Sequence, residues 1–191
     1  GEAAKELYLA GDYPKESLIE LDALRYLYLA DLNYLKVKEN KINLKRKTVL
    51  VFGDYLQENT LKQLKLLLSA SSEIDGSTYF IIKPHMACPI DIKELKGINC
   101  ELSLKPIDEL LTISDVVYSS AVTSAAVDAY CAGLPVVTFI DGQTMNMSPL
   151  RGHKGVYFVS QSKELSMAIN CAKVTNKKLA SDYFYLENNL P

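Results

Sequence analysis

From Lys47 onward the chain alternates short apolar runs with helical stretches, of which 59–71 has leucines at 61, 64, 67 and 68 on one face. The runs are TVLVF (48–52), STYFIIKP (77–84), DVVYSS (115–120), PVVTFI (135–140) and GVYFVS (155–160), and NCELSL (99–104) alternates like a further strand. Between and after them lie NTLKQLKLLLSAS (59–71), a short DIKELK piece, PIDELLTI (106–113), VTSAAVDAYCAG (122–133) and SKELSMAINCAKV (162–174). A strand that is apolar at nearly every position has both faces buried, and intervening helices are what bury them. Crossovers of this kind are right-handed. The pattern therefore predicts an α/β fold: a doubly wound, mostly parallel, Rossmann-like sheet of about six strands over residues 45–174.

One stretch, VYSSAVTSAAVDAYCAGLPVVTFID (117–141), is apolar enough to invite comparison with a membrane span. A span needs ~20 mostly apolar residues with few or no charges. Here Asp128 falls in the middle, four hydroxyl residues cluster in the first half, and Gly133 and Pro135 split the run. It reads instead as strand, turn, helix and strand.

The N-terminal part is different in kind. Residues 2–10 have helical composition, with Gly11 as a stop and Pro14 beyond it. The next stretch, 14–36, places Leu18, Leu21, Leu24 and Tyr28 at helical spacing and predicts a moderately amphipathic helix. KVKENKINLKRK (36–47) is polar and reads as a linker. The expected organisation is a helical tail and linker over 1–44, the sheet domain over 45–174 and a helical tail over 175–191. The chain begins at Gly1 rather than Met, as expected of a processed chain or a piece of a longer protein.

Composition removes several classes. With 21 basic and 23 acidic residues the net charge is −2, against the basic excess of a nucleic-acid binder. The four cysteines form no C-x-x-C pair, and His85 and His153 are the only histidines, so no zinc spacing exists and no metal is assigned. Cys100 and Cys131 fall in apolar patterns and are expected to be buried thiols in a reducing compartment. The charged N-terminus does not resemble a secretory signal, so a cytoplasmic chain without its own membrane anchor is expected.

In an open α/β sheet, ligands bind outside the carboxyl ends of the strands, where strand order reverses. Polar and small residues gather at these ends: Gly53 and Asp54 after the first run, Lys83 and His85 after the second. Ser119, Ser120, Thr123 and Ser124 follow the fourth, and Asp141, Gln143 and Thr144 the fifth. A helix beginning near Val122 or Thr123 would present unpaired N–H groups and a positive dipole end beside those hydroxyls, a phosphate-binding arrangement. Taken alone, the same turn reads as a capped helix, with Ser120 or Thr123 as the cap. Lys83 and His85 add charge and a donor that a cap does not need, and Arg151 and Lys154 add more. Asp128 lies four residues after Ser124, on the same helix face, where a carboxylate can accept both hydroxyls of a ribose. Its neighbours are nearly all apolar, and a buried aspartate needs a partner.

VDAYCAGLPVVTF (127–139) resembles the nucleotide-sugar motif of glycosyltransferases with the two-Rossmann, GT-B architecture. KPHM (83–86) together with Ser119-Ser120 is similar to motifs of capsule and surface-polysaccharide transferases that use CMP-sugars or CDP-glycerol. The resemblance spans about 47–174. It implies one half of a GT-B enzyme, whose other, N-terminal domain binds the acceptor and supplies the catalytic base. It implies that Lys83, His85, Ser119, Ser120, Thr123 and Ser124 hold the donor phosphate and Asp128 the ribose. Gly53, Asp54, Asp141, Gln143, Thr144 and Arg151 would lie around the sugar or behind those groups. The position eight before Asp128, acidic in many retaining enzymes of this architecture, is Ser120, which points to the CMP/CDP type. No cofactor is implied beyond the nucleotide-activated sugar as substrate, with membrane contact coming only through the full-length protein at the inner face. Two alternatives stand beside this: a nucleotide-sugar 2-epimerase, which shares the fold, and a non-catalytic α/β binding module. A dehydrogenase is disfavoured, because VFGDYLQEN carries no G-x-G-x-x-G after the first strand.

Overall fold

A computed structural model describes residues 2–19, 21, 23–31 and 46–173. Six strands form one parallel sheet: β1 (Thr48–Phe52), β2 (Tyr79–Lys83), β3 (Cys100–Leu102), β4 (Val116–Ser120), β5 (Val136–Phe139) and β6 (Val156–Val159). Their order is β3-β2-β1-β4-β5-β6, and every neighbouring pair is parallel. The doubly wound Rossmann-like fold is thus the one the apolar runs predict.

Three helices of the sheet domain are α3 (Gln57–Ala70), α4 (Ile107–Ile113) and α6 (Ser162–Cys171), and a fourth, α5 (Ala125–Cys131), follows β4. The period of two along each strand divides the core between the faces. Val49 and Val51 of β1 meet Leu64 and Leu67 of α3 and share their face with Leu165 and Ile169 of α6. Leu50 and Phe52 face the other way, with Leu110 and Leu111 of α4 and Ala126, Ala129 and Tyr130 of α5. The central strands β4 and β5 are buried at every residue, whereas edge strand β3 is open to solvent along most of its length. That is why β1, β4 and β5 read as unbroken apolar runs and β3 does not.

α5 ends as the sequence predicts. Gly133 takes a left-handed φ of 85°, the Leu134 N–H donates to the Ala129 carbonyl, and the Gly133 N–H donates to the Tyr130 carbonyl. This pair of bonds is a Schellman cap, which a residue with a Cβ would strain. Pro135 then opens the next strand, its carbonyl accepting from the Val117 N–H.

Two expectations are corrected. Among its described residues the 14–36 helix is broken: single 3₁₀ turns occupy Lys15–Ser17 and Leu24–Tyr26, and α-helix is confined there to Tyr28–Asp31 (α2), while 32–36 lie outside the described residues. Ile19, Leu21 and Leu24 are more than 60% exposed, so this part of the apolar stripe has no surface to pack on, whereas Leu29 is buried in the core with Tyr26 and Tyr28 packed against it. A helix of this length is marginal without such packing. The second correction concerns α5, which begins at Ala125, not at Val122 or Thr123, because a tight turn at Thr123–Ser124 precedes it. The predicted helix over 2–10 is present as α1 (Glu2–Ala10). The linker residues 36–45 and the tail 175–191 lie outside the described residues. Cys131 is buried, Cys100 half-buried with its thiol pushed up by burial, and no described helix is long and apolar enough to cross a membrane.

Candidate functional site

The crossover from β1 runs through α3 on one face of the sheet, and that from β4 through α5 on the other. The loops after β1 and β4 therefore part at the carboxyl rim, leaving the crevice in which this fold accommodates ligands. Asp54 lies at its floor, 1% exposed. Its Oδ1 accepts the Leu56 N–H at 2.8 Å; its Oδ2 accepts the Ser120 hydroxyl at 2.5 Å and the Asn59 amide at 3.3 Å. Thr60 closes the loop beneath, accepting from the Asp54 N–H and donating to the Asp54 carbonyl. Ser120 Oγ is also 2.8 Å from Thr123 Oγ1. Three residues from two strands' ends thus form one chain of oxygens, buried at Asp54 and Ser120 and half-buried at Thr123.

Gly53 permits this by letting the β2 loop pass close by, since a Cβ there would meet the His85 backbone nitrogen at 3.2 Å. That packing explains the glycine without any ligand contact.

A cavity of about 680 Å³ opens beside this network on the α5 side. Thr123, Ser124 and Val127 form one wall, Met147, Pro149, Arg151 and His153 another, and Tyr26 with Leu7 of α1 lies across them. The size falls in the range of small-molecule sites, ~300–1,000 Å³. Arg151 is exposed and donates through Nη1 to the Asn146 carbonyl, which leaves further guanidinium N–H groups for a ligand. His153 packs edge-on to Tyr130, ring centres 5.4 Å apart.

Asp128 lies one residue beyond Val127 and is 3% exposed. Its Oδ2 accepts the Tyr28 hydroxyl at 2.9 Å, a contact across 100 residues of sequence. Burial first, and then the Asp128 carboxylate, push the Tyr28 phenol far above its ordinary pKa, so it stays a donor.

Of the other predicted residues, Asp141 and Thr144 line a smaller pocket together with Asp54 and Ser120, and the rest are spread around the rim. Ser119 faces the opposite side of the sheet from Ser120, fully buried, and its hydroxyl has no partner among the described residues. Lys83 reaches outward and donates to the Lys105 carbonyl at 2.6 Å. His85 is exposed, accepts the Ala87 N–H on Nδ1 and meets the Tyr55 ring edge-on at 6.4 Å. Neither Lys83 nor His85 lines the cavity, since β1 separates their strand from β4. The first-turn N–H groups of Ala126 and Val127 are taken by the Thr123 and Ser124 carbonyls, so α5 offers fewer open donors than expected.

Asp141 caps its own loop through Oδ1, which accepts the Gln143 and Thr144 N–H groups and the Thr144 hydroxyl, while Oδ2 lies 3.7 Å from the Lys62 ammonium of α3. The backbone N–H of Thr144, then that of Gln143, hold its carboxyl below the ordinary range. A lowered pKa stabilises the fold above the free-carboxyl value of about 3.9 and loses that contribution as pH falls through the value in the fold. The Gln143 and Thr144 amide resonances should therefore titrate together, with a midpoint below that of an aspartate in an unfolded peptide. A midpoint at the free value would contradict the cap.

Residues that sequence reasoning did not assign to the site include Asn59, Tyr26, Tyr28, Met147 and Pro149. One signal was available for the last two: residues 140–155, between β5 and β6, form a long crossover without a helix. Loops of that length in a compact domain are commonly functional.

No family profile and no curated protein sequence matches the chain. Among solved structures it is similar to the glycosyltransferase SnogD from Streptomyces nogalater, with a TM-score of 0.50 and 14% identity over 66% of this chain. WaaG, a glycosyltransferase involved in lipopolysaccharide biosynthesis, aligns with a TM-score of 0.47 and 12% identity over 73% of this chain. The matched part spans 35% of SnogD and 42% of WaaG. The similarity is one of fold.

Proposed function

We propose that this chain is the donor-binding domain of a glycosyltransferase, taking a nucleotide-activated sugar for surface-carbohydrate synthesis alongside a separate acceptor-binding domain. The observation that carries the reading is the 680 Å³ cavity at the carboxyl rim, with hydroxyls and a guanidinium on its walls and Asp128 one residue behind them. The fold shared with SnogD supports it.

In this reading Arg151 and the Ser124 hydroxyl receive the phosphates and Asp128 the ribose hydroxyls, while apolar Leu7, Tyr26 and Met147 cover the base or sugar. The reaction breaks the bond between the sugar's anomeric carbon and the nucleotide phosphate and forms one to an acceptor hydroxyl. Fixed positive charge at the departing phosphate lowers the barrier, because charge builds there in the transition state. The base that takes the acceptor's proton would come from the acceptor-binding domain. Lys83 and His85, on the far side of β1, are assigned to the part of the donor, or of the closed two-domain enzyme, that extends over the β2 loop.

The test is a titration of CMP, CDP, UDP and GDP, separately, into the isotope-labelled chain. Shifts concentrated at Thr123, Ser124, Asp128 and Arg151 with one base are expected, and Arg151→Ala should weaken that binding about tenfold, as loss of a charged hydrogen bond does. If the shifts appear elsewhere, or with none of the four even when the acceptor domain is present, the assignment fails.

A further inference from the structure

The chain of oxygens at the crevice has a direction. A carboxylate accepts hydrogen bonds and donates none, whereas each hydroxyl carries one proton and can accept as well. Asp54 is ringed by donors: the Leu56 N–H, the Asn59 amide and Ser120 Oγ. The 2.5 Å contact to Ser120 commits the single Ser120 proton to Asp54. The 2.8 Å contact between Ser120 and Thr123 can then be a hydrogen bond only if Thr123 donates. Thr123 spends its one proton inward, so what its hydroxyl has left to offer a ligand in the cavity that the residue lines is a lone pair.

We infer that Asp54 fixes the proton direction of the Ser120–Thr123 pair, so that Thr123 presents an acceptor to the cavity and selects a hydrogen-bond donor there. Resting on the donor-site reading above, this places a sugar or ribose hydroxyl against Thr123 and keeps the phosphate off it. A phosphate oxygen at that point would set lone pair against lone pair. Phosphate is left to Ser124 and Arg151, which lie outside the chain of oxygens. The role of Ser120 and Thr123 is thereby the reverse of the phosphate donors that their sequence position suggests, and Asp54 is the positioning residue that reverses it.

Two measurements on the full chain separate this inference from the reading it rests on. The first needs no ligand. The Ser120 hydroxyl proton should resonate at low field, exchange slowly, and move to the ordinary hydroxyl region in Asp54→Asn, whose amide donates to Ser120 instead of accepting. A Ser120 proton that Asp54→Asn leaves in place overturns the inference, whatever the chain binds. The second uses inorganic phosphate, followed by the shifts of Thr123 and Ser124. Asp54→Asn turns the proton direction outward, so phosphate should bind about tenfold more tightly next to Thr123. Equal affinity in the two proteins overturns the proposal. Should Asp54→Asn fail to fold, Thr123→Val answers the same question. Removing an acceptor leaves phosphate affinity unchanged or raised, and a roughly tenfold loss would mean that Thr123 donates.

Discussion

Replacing Asp54 with alanine is expected to remove about 3 kcal/mol of stability, among the larger losses available to a single substitution outside the apolar core. The side chain is 1% exposed and terminates three hydrogen bonds, from the Leu56 N–H, the Ser120 hydroxyl and the Asn59 amide. Alanine leaves those donors facing a void. A buried donor stripped of its acceptor costs about 1–3 kcal/mol, more than the net worth of the bond it made. The three losses share one cavity and will not add in full. The opposing effect is relief from burying a charge, and with three donors around the carboxylate that relief is the smaller of the two. Chemical denaturation should show the midpoint falling with an unchanged m-value. In a melt the loss corresponds to roughly 6–12 °C for a chain of this size. Asp54→Asn keeps an acceptor for the Leu56 N–H and should retain about half of the lost stability. A loss below about 1 kcal/mol in the alanine variant would mean that water replaces the carboxylate without penalty and that Asp54 does not organise the crevice.

The sheet was legible because its central strands are buried on both faces, so their composition alone carries the signal. TVLVF matches β1 residue for residue, and the other five runs overshoot by one or two residues at one end or both. The helix predicted over 14–36 is broken among its described residues for the complementary reason. Periodic leucines specify a helix only when a surface exists to bury them, and Leu21 is 77% exposed. The candidate site was legible only as a set of strand ends. Ser120, Thr123 and Asp54 come together because β1 and β4 are neighbours, which follows once strand order is known. Ser119 and Ser120 look alike in sequence, yet the pleat sends them to opposite faces, one into the core and one into the crevice. Lys83 is at a rim, as expected, but a carbonyl in the loop beyond β3 takes its ammonium away from the crevice. Nothing local announces such a competitor. The same holds for Tyr28, which meets Asp128 only through tertiary structure.

That last contact yields a prediction in which stability and binding move in opposite directions. The Tyr28 hydroxyl already occupies Asp128 Oδ2 at 2.9 Å, on the carboxylate proposed to hold ribose. A ribose hydroxyl must displace it or share the oxygen with it. Tyr28→Phe should therefore cost about 1–2 kcal/mol of stability, the net value of a hydrogen bond to a charged acceptor that is only partly shielded from water. It should also tighten the nucleotide found in the titration by roughly five- to tenfold, because the ligand then restores a bond to Asp128 instead of exchanging one. Asp128→Asn removes the charge from both partnerships, lowering stability and weakening the same nucleotide by about tenfold. Calorimetric titration of the three proteins, with denaturation of each, gives all the quantities needed. If Tyr28→Phe weakens binding as much as Asp128→Asn does, the phenol is part of the ligand's own contact surface and the two hydroxyls do not compete. If it tightens binding while lowering stability, the resting domain holds its own ribose carboxylate closed, and part of the donor's binding energy goes into opening it.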